Sequence, residues 1–191
     1  MLLPLAGAAI ISALPKNNEK AAKQAALGTT LVVMAVTIAM AVGFQRDNVE
    51  LQFVEKYAWI PSFGINFALG VDAIALVLIL MSVILAPIVV LAGWDEAHGG
   101  RWSVKTFYIL ILVLETMMIG VFAATDLFLF YVIFEAMLIP VYFLIGGYGT
   151  GERAAAAVKF LLYSLFGGLL MLASIIALYV CLLYTSPSPR D

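Results

Sequence analysis

The chain has 191 residues, 64% of them hydrophobic and 12% charged, with a mean hydropathy of +1.09. Soluble domains are about 45–50% apolar and about 25% charged, so an ordinary water-soluble enzyme and a disordered chain are excluded. A formal net charge of −2 leaves no basic surface for phosphates, so nucleic acid is excluded as a partner. One cysteine and one histidine exclude a disulfide framework, a four-cysteine cluster and a multi-histidine metal centre. The composition predicts an all-α, polytopic transmembrane helix bundle with the lipid bilayer as its surroundings.

About six spans are predicted, at residues 1–14, 25–44, 69–93, 106–124, 126–146 and 154–180. The first is short and is followed, not preceded, by lysines (Lys16, Lys20, Lys23), so it reads as a helix missing its beginning and not as a secretory signal. Residues 45–67 form a polar loop, and Tyr57, Trp59 and Pro61 suit the headgroup level. Another polar loop carries His98 beside Gly99-Gly100; this histidine reads as a solvated loop residue. About forty nearly unbroken apolar residues from Lys105 to Gly147 must fold back once. Thr125-Asp126 is the predicted turn and a predicted helix cap. Gly146–Gly151 is a glycine-rich turn before the sixth span. Lys16, Lys20, Lys23, Arg101, Lys105 and Arg153, with Lys159 able to snorkel to the same side, face Arg46, Lys56 and Arg190 on the other. The positive-inside rule then places the amino terminus outside and the odd-numbered turns in the cytoplasm. Residues 1–183 form one transmembrane region, and 184–191 a non-native or disordered tail. The stretch Cys181-Leu-Leu-Tyr-Thr-Ser-Pro-Ser-Pro-Arg-Asp191 resembles translated sequencing-adapter sequence, which makes the chain a fragment.

Chemistry in such a chain sits on ionisable groups at bilayer depth, where a charged carboxylate costs about 2.5–3.5 kcal/mol on insertion scales. Glu135 lies nine residues beyond Asp126, about 13.5 Å into the fifth span. Pro140, five residues on, frees the carbonyl of Ala136, one turn back. A carboxylate beside an unpaired carbonyl suits a proton relay; the bland alternative is an acid that bonds a neighbouring helix as glue. Glu115 lies as far before the Thr125 turn as Glu135 lies after it, so the two share a depth. They either face each other and share a proton, or Glu115 bonds another helix. Lys159 is either a cationic partner of Glu135 or a snorkelling lysine. Asp72 and Asp126 read as caps at positive helix ends. The aromatic stripe Phe128, Phe130, Tyr131, Phe134 reads as lipid-facing or core packing and not as a cofactor box, and Gly167-Gly168 as a site of close helix contact. No phosphate-binding loop, Rossmann pattern or nucleophile triad is present, so no redox or hydrolytic chemistry resides in the chain.

The run Asp126-Leu-Phe-Leu-Phe-Tyr-Val-Ile-Phe-Glu135-Ala-Met-Leu-Ile-Pro140-Val-Tyr-Phe-Leu-Ile145 resembles the signature of the antiporter-like subunits of respiratory complex I, the proton-pumping NADH–quinone oxidoreductase. Trp59-Ile-Pro61 leading to Leu69-Gly70-Val71-Asp72, Glu115-Thr-Met-Met-Ile-Gly120 and Lys159-Phe-Leu-Leu-Tyr163 are similar to further family motifs in the same order. The resemblance implies that Glu135 is the family's fifth-helix glutamate of proton translocation, Glu115 its fourth-helix acid and Lys159 its sixth-helix lysine. It implies that Asp72 opens the third helix, although Ala73 and Ala75 stand where glycine and serine are expected. It implies a larger fold of two inverted repeats, of which this chain carries part. It also implies that NADH, FMN, iron–sulfur clusters and quinone belong to other subunits, with no cofactor here. The partners implied are protons and the other membrane subunits of complex I. The alternatives are a subunit of a multisubunit sodium/proton antiporter, from the same superfamily, and a structural membrane scaffold.

Overall fold

The computed structural model describes residues 1–15, 18–45, 51–60, 65–94 and 100–185. Lys16, Arg46, Pro61, His98, Gly99 and the tail from 186 onward, with Arg190, lie outside them. Six helices are present among the described residues: α1 (Leu3–Ala13), α2 (Glu19–Val42), α3 (Ala73–Ala92), α4 (Val104–Ala123), α5 (Leu127–Tyr148) and α6 (Arg153–Thr185). All but α1 are long and apolar enough to cross a membrane. The 11 residues of α1 span about 16 Å, roughly half a bilayer core.

Two strands, β1 (Gln52–Ile60) and β2 (Ile65–Val71), lie between α2 and α3 and pair antiparallel. This corrects the expectation of a loop over 45–67 and moves the start of the third span from 69 to Ala73. Phe53, Val54, Tyr57, Trp59 and Ile60 are aromatic or β-branched, and such residues favour a pleated surface over an irregular segment. The register runs Gln52 to Val71, Lys56 to Ala68 and Tyr57 to Phe67. It slips between Gln52 and Glu55, where Phe53 adopts φ 55°. Such a bulge in an outer strand bends and twists it.

Helix α4 is the keel. It packs against α1, α2 and α3 on one side and α5 on the other, and α6 packs against α5. Toward one end, Ile11, Ala22, Ala26, Val90, Tyr108 and Leu112 form a core from α1–α4. Toward the other end, Val33, Leu76, Ile79, Val83 and Ile119 form a second core that includes Val71 of β2. A third cluster, Val121, Leu129 and Ile133, joins α4 to α5.

Both ends of the α4–α5 hairpin are fastened. At one end, Asp126 Oδ1 accepts from the backbone N–H groups of Phe128 (2.9 Å) and Leu129 (3.2 Å), while its Oδ2 accepts from Asn66 N–H of β2 (3.0 Å). Thr125 N–H also donates to the Ala68 carbonyl of β2. At the other end, Tyr148 Oη donates to the Ser103 carbonyl (2.7 Å) and Arg101 N–H donates to that of Gly147 (2.7 Å). Trp102 packs edge-on against Phe143 and Tyr148 there. Asp72 Oδ1 accepts from Ala75 N–H (2.7 Å) at the start of α3.

Two lysines read in the sequence as loop charges have structural partners. Lys105 Nζ donates to the carbonyls of Ser12 (3.0 Å) and Leu14 (2.5 Å), placing a cation on carbonyls at the end of α1. Lys23 is 6% exposed; its Nζ donates to the Trp94 carbonyl and lies 5.3 Å from the Trp94 ring centroid.

Asp126 satisfies two helix donors and one strand donor, whereas Asp72 satisfies one. Asp126→Ala is therefore expected to destabilise the folded chain by about 2–3 kcal/mol and Asp72→Ala by about 1 kcal/mol. Denaturant titration in detergent micelles checks the order; equal losses would contradict the role of Asp126 in holding the hairpin.

Candidate functional site: the buried carboxyls of α4 and α5

Glu115 is the twelfth residue of α4 and is 4% exposed. Its neighbours one turn either side, Ile111, Leu112 and Ile119, belong to the cores made with α1, α2 and α3. The buried hydroxyls of Thr30, Thr37, Ser82 and Thr116 bond carbonyls of their own helices. Neither oxygen of Glu115 has a hydrogen-bond partner among the described residues. Buried polar groups are nearly always paired, so an unpaired carboxyl calls for a specific explanation.

Glu135 is the ninth residue of α5, about 12 Å from its start. It is half-buried, and its Oε1 is buried with no hydrogen-bond partner among the described residues. Two residues before it, Ile133 packs toward α4, where it lies 3.3 Å from the position of a methyl on Gly120. Two residues on a helix are about 200° apart, so Glu135 projects from the opposite side of α5. There it meets Gly168 of α6: a methyl on Gly168 would lie 2.6 Å from Glu135 Cδ and 3.2 Å from Oε2, inside the space of Oε1. Eleven residues away on each helix, Gly146 meets Ala157, with a methyl on Gly146 lying 3.4 Å from Ala157 Cβ. Eleven residues are almost three full turns, so these two contacts define one antiparallel seam between α5 and α6.

The structure does not bring the three proposed translocation residues together. Glu115 points into the α1–α4 core and Glu135 into the α5–α6 seam, which answers the open question of their facing: they share a depth but not a side. Lys159 is exposed. It lies two residues from Ala157, hence on the side of α6 away from α5, and nine residues (about 13.5 Å) from Gly168. Pro140 is buried, and α5 runs unbroken through it. The stacked rings of Phe130 and Phe134 pack beside the α4–α5 cluster, and Phe128 lies against Trp59 of the hairpin.

Sequence reasoning missed the pairing of Glu135 with Gly168. A signal existed: Glu135 lies 13 residues before the end of α5, Gly168 lies 15 residues after the start of α6, and glycine is where a helix admits a close approach. A cavity of about 680 Å3 between the hairpin and the end of α6, lined by Ile60, Ile65, Phe128, Leu172, Ile176 and Tyr179, does not include either glutamate. Among the described residues, no group of three His, Cys, Asp or Glu side chains could hold a metal ion.

A buried carboxyl that makes no hydrogen bond does not hold helices together. Glu115→Gln is therefore expected to leave stability within about 1 kcal/mol of the unaltered chain. Denaturant titration in micelles measures this; a loss above about 3 kcal/mol would mark Glu115 as a packing group.

A transmembrane family described as NADH:quinone oxidoreductase/Mrp antiporter matches residues 124–183, the segment that contains α5, the seam and most of α6. The chain is 44% identical to NADH-quinone oxidoreductase subunit M of Mycobacterium tuberculosis, covering 94% of this chain and 37% of that protein. It is 40% identical to subunit M of Rhodobacter capsulatus (93% and 34%) and 34% identical to NADH-ubiquinone oxidoreductase chain 4 of Marchantia polymorpha (94% and 36%). The chain thus spans a little over a third of the length of these relatives. Match, motifs and membrane bundle agree: the chain belongs to the antiporter-like membrane-subunit family of NADH–quinone oxidoreductase.

Proposed function

We propose that this chain contributes part of a proton-translocating half-channel to a NADH–quinone oxidoreductase, with Glu135 as its mid-membrane proton carrier. The observation that carries the reading is the Glu135 carboxyl itself. It sits in the middle third of a spanning helix, with one oxygen buried and unpaired, in the seam between α5 and α6. A scaffold acid acting as glue needs hydrogen bonds to a neighbouring helix, and neither this oxygen nor those of Glu115 has one among the described residues. A proton carrier instead needs a carboxyl whose protonation state can change without breaking the fold.

Glu115 is the second carrier, reached from the α1–α3 side. Lys159 acts from the lipid-facing or partner-facing side of α6, in step with the electrical state of the membrane and not through contact with Glu135. The redox groups (FMN, iron–sulfur clusters) and the NADH and quinone sites belong to other subunits, to which this chain couples mechanically and electrostatically. Its partners are the other membrane subunits of the complex. The membrane is a bacterial plasma membrane with the amino terminus outside. In support, Lys20, Lys23, Arg101, Lys105 and Arg153 lie at one end of the bundle and Lys56 at the other. The second reading, a sodium/proton antiporter subunit, draws on the matched family, which joins the oxidoreductase to an antiporter.

Glu135→Gln keeps the shape of the side chain and removes its exchangeable proton. In membrane vesicles carrying the assembled complex, proton translocation driven by NADH is expected to fall by on the order of tenfold or more, with the subunit still incorporated. Translocation at the unaltered rate would overturn the assignment. Translocation that persists only with sodium, and without NADH oxidation, would favour the antiporter reading.

A further inference from the structure

We propose that Gly168 is a positioning residue for Glu135: the bare backbone of α6 at this point is the seat that fixes where the carboxyl lies. This rests on the reading of Glu135 as a proton carrier. Gly168 is buried and lies on the side of α6 that meets α5. A methyl there would fall inside the space of Glu135 Oε1 and 2.6 Å from Cδ. Its neighbour Gly167 is exposed and has nothing within 4 Å of the same position. Both glycines weaken an isolated helix by about 1 kcal/mol relative to alanine, but among the described residues only Gly168 has a neighbour that a side chain would displace.

The seat works by shape. Oε1 has no hydrogen-bond partner among the described residues, so the carboxyl is held by the hollow at Gly168 and by the seam around it. That seam is fixed independently by the Gly146–Ala157 contact eleven residues away. Any side chain at 168 must displace either α6 or the carboxyl. The carboxyl is the end of a flexible side chain with two free torsions beyond Cβ, so it moves first and the helix pair persists. Proton transfer is sensitive to placement on the ångström scale, where misplacing a reacting group by about 1 Å can cost about a hundredfold.

The test compares Gly168→Ala with Gly167→Ala in vesicles carrying the assembled complex. Proton translocation driven by NADH oxidation is read alongside the infrared C=O stretch of protonated Glu135, identified by its loss in Glu135→Gln. Gly168→Ala is expected to lower translocation by on the order of tenfold and to shift the band, with incorporation unchanged. Gly167→Ala is expected to change neither. Identical behaviour of the two variants overturns the proposal, as does a shifted band with unaltered translocation. If Glu135→Gln leaves translocation intact, the carrier reading falls, and the band shift alone then reports whether the seat exists. Should the Gly168→Ala chain fail to accumulate, adding Glu135→Asp, which retracts the carboxyl by one methylene, is expected to restore it. Absence of that restoration also counts against the seat.

Discussion

An acidic side chain in the middle of an apolar helix costs a few kcal/mol wherever it points, so its position depends on how firmly the helix around it is held. In this chain α5 carries the acid, and three sets of contacts hold α5. Asp126 fastens its start to the β-hairpin and caps it. The Trp102–Tyr148 cluster fastens its end. Along its length Leu129 and Ile133 pack on α4, leaving the opposite face to meet α6. Glu135 falls on that opposite face, and so its carboxyl enters the α5–α6 seam and not the α1–α4 core.

The keel, α4, plays a complementary part. It collects α1, α2 and α3 on one side, and Glu115 sits within that group. The bundle therefore holds two carboxyls at similar depth in separate surroundings, divided by the α4–α5 contact. Within that contact Ile133 of α5 lies 3.3 Å from the position of a methyl on Gly120 of α4.

Much of this was legible in the sequence. Hydropathy located the six described helices, five of them because a bilayer-crossing segment must satisfy its own backbone and be apolar throughout. Helix ends shifted by a few residues; α2, for instance, begins at Glu19, not residue 25. The β-hairpin was hidden because its second strand runs straight into a span and both strands are mixed in polarity. The cap positions of Asp72 and Asp126 followed from an acid placed just before an apolar run. Depth was also legible: counting from the Thr125 turn puts Glu115 level with Glu135. Facing was not, because an all-apolar helix has no polar stripe to mark which side meets which neighbour. The partners of Lys23 and Lys105 were equally hidden, since Trp94 and the carbonyls of Ser12 and Leu14 are remote in the chain.

The central claim is that Glu135 exchanges a proton while seated between α5 and α6. The most direct measurement is a pH-difference infrared titration of the unaltered chain in lipid vesicles, with Glu135 identified by subtraction of the Glu135→Gln spectrum. The expected result is a protonated C=O band that exchanges in heavy water and gives way to carboxylate bands as the pH rises. A band that neither exchanges nor titrates would contradict the claim and leave Glu135 as a sealed structural acid.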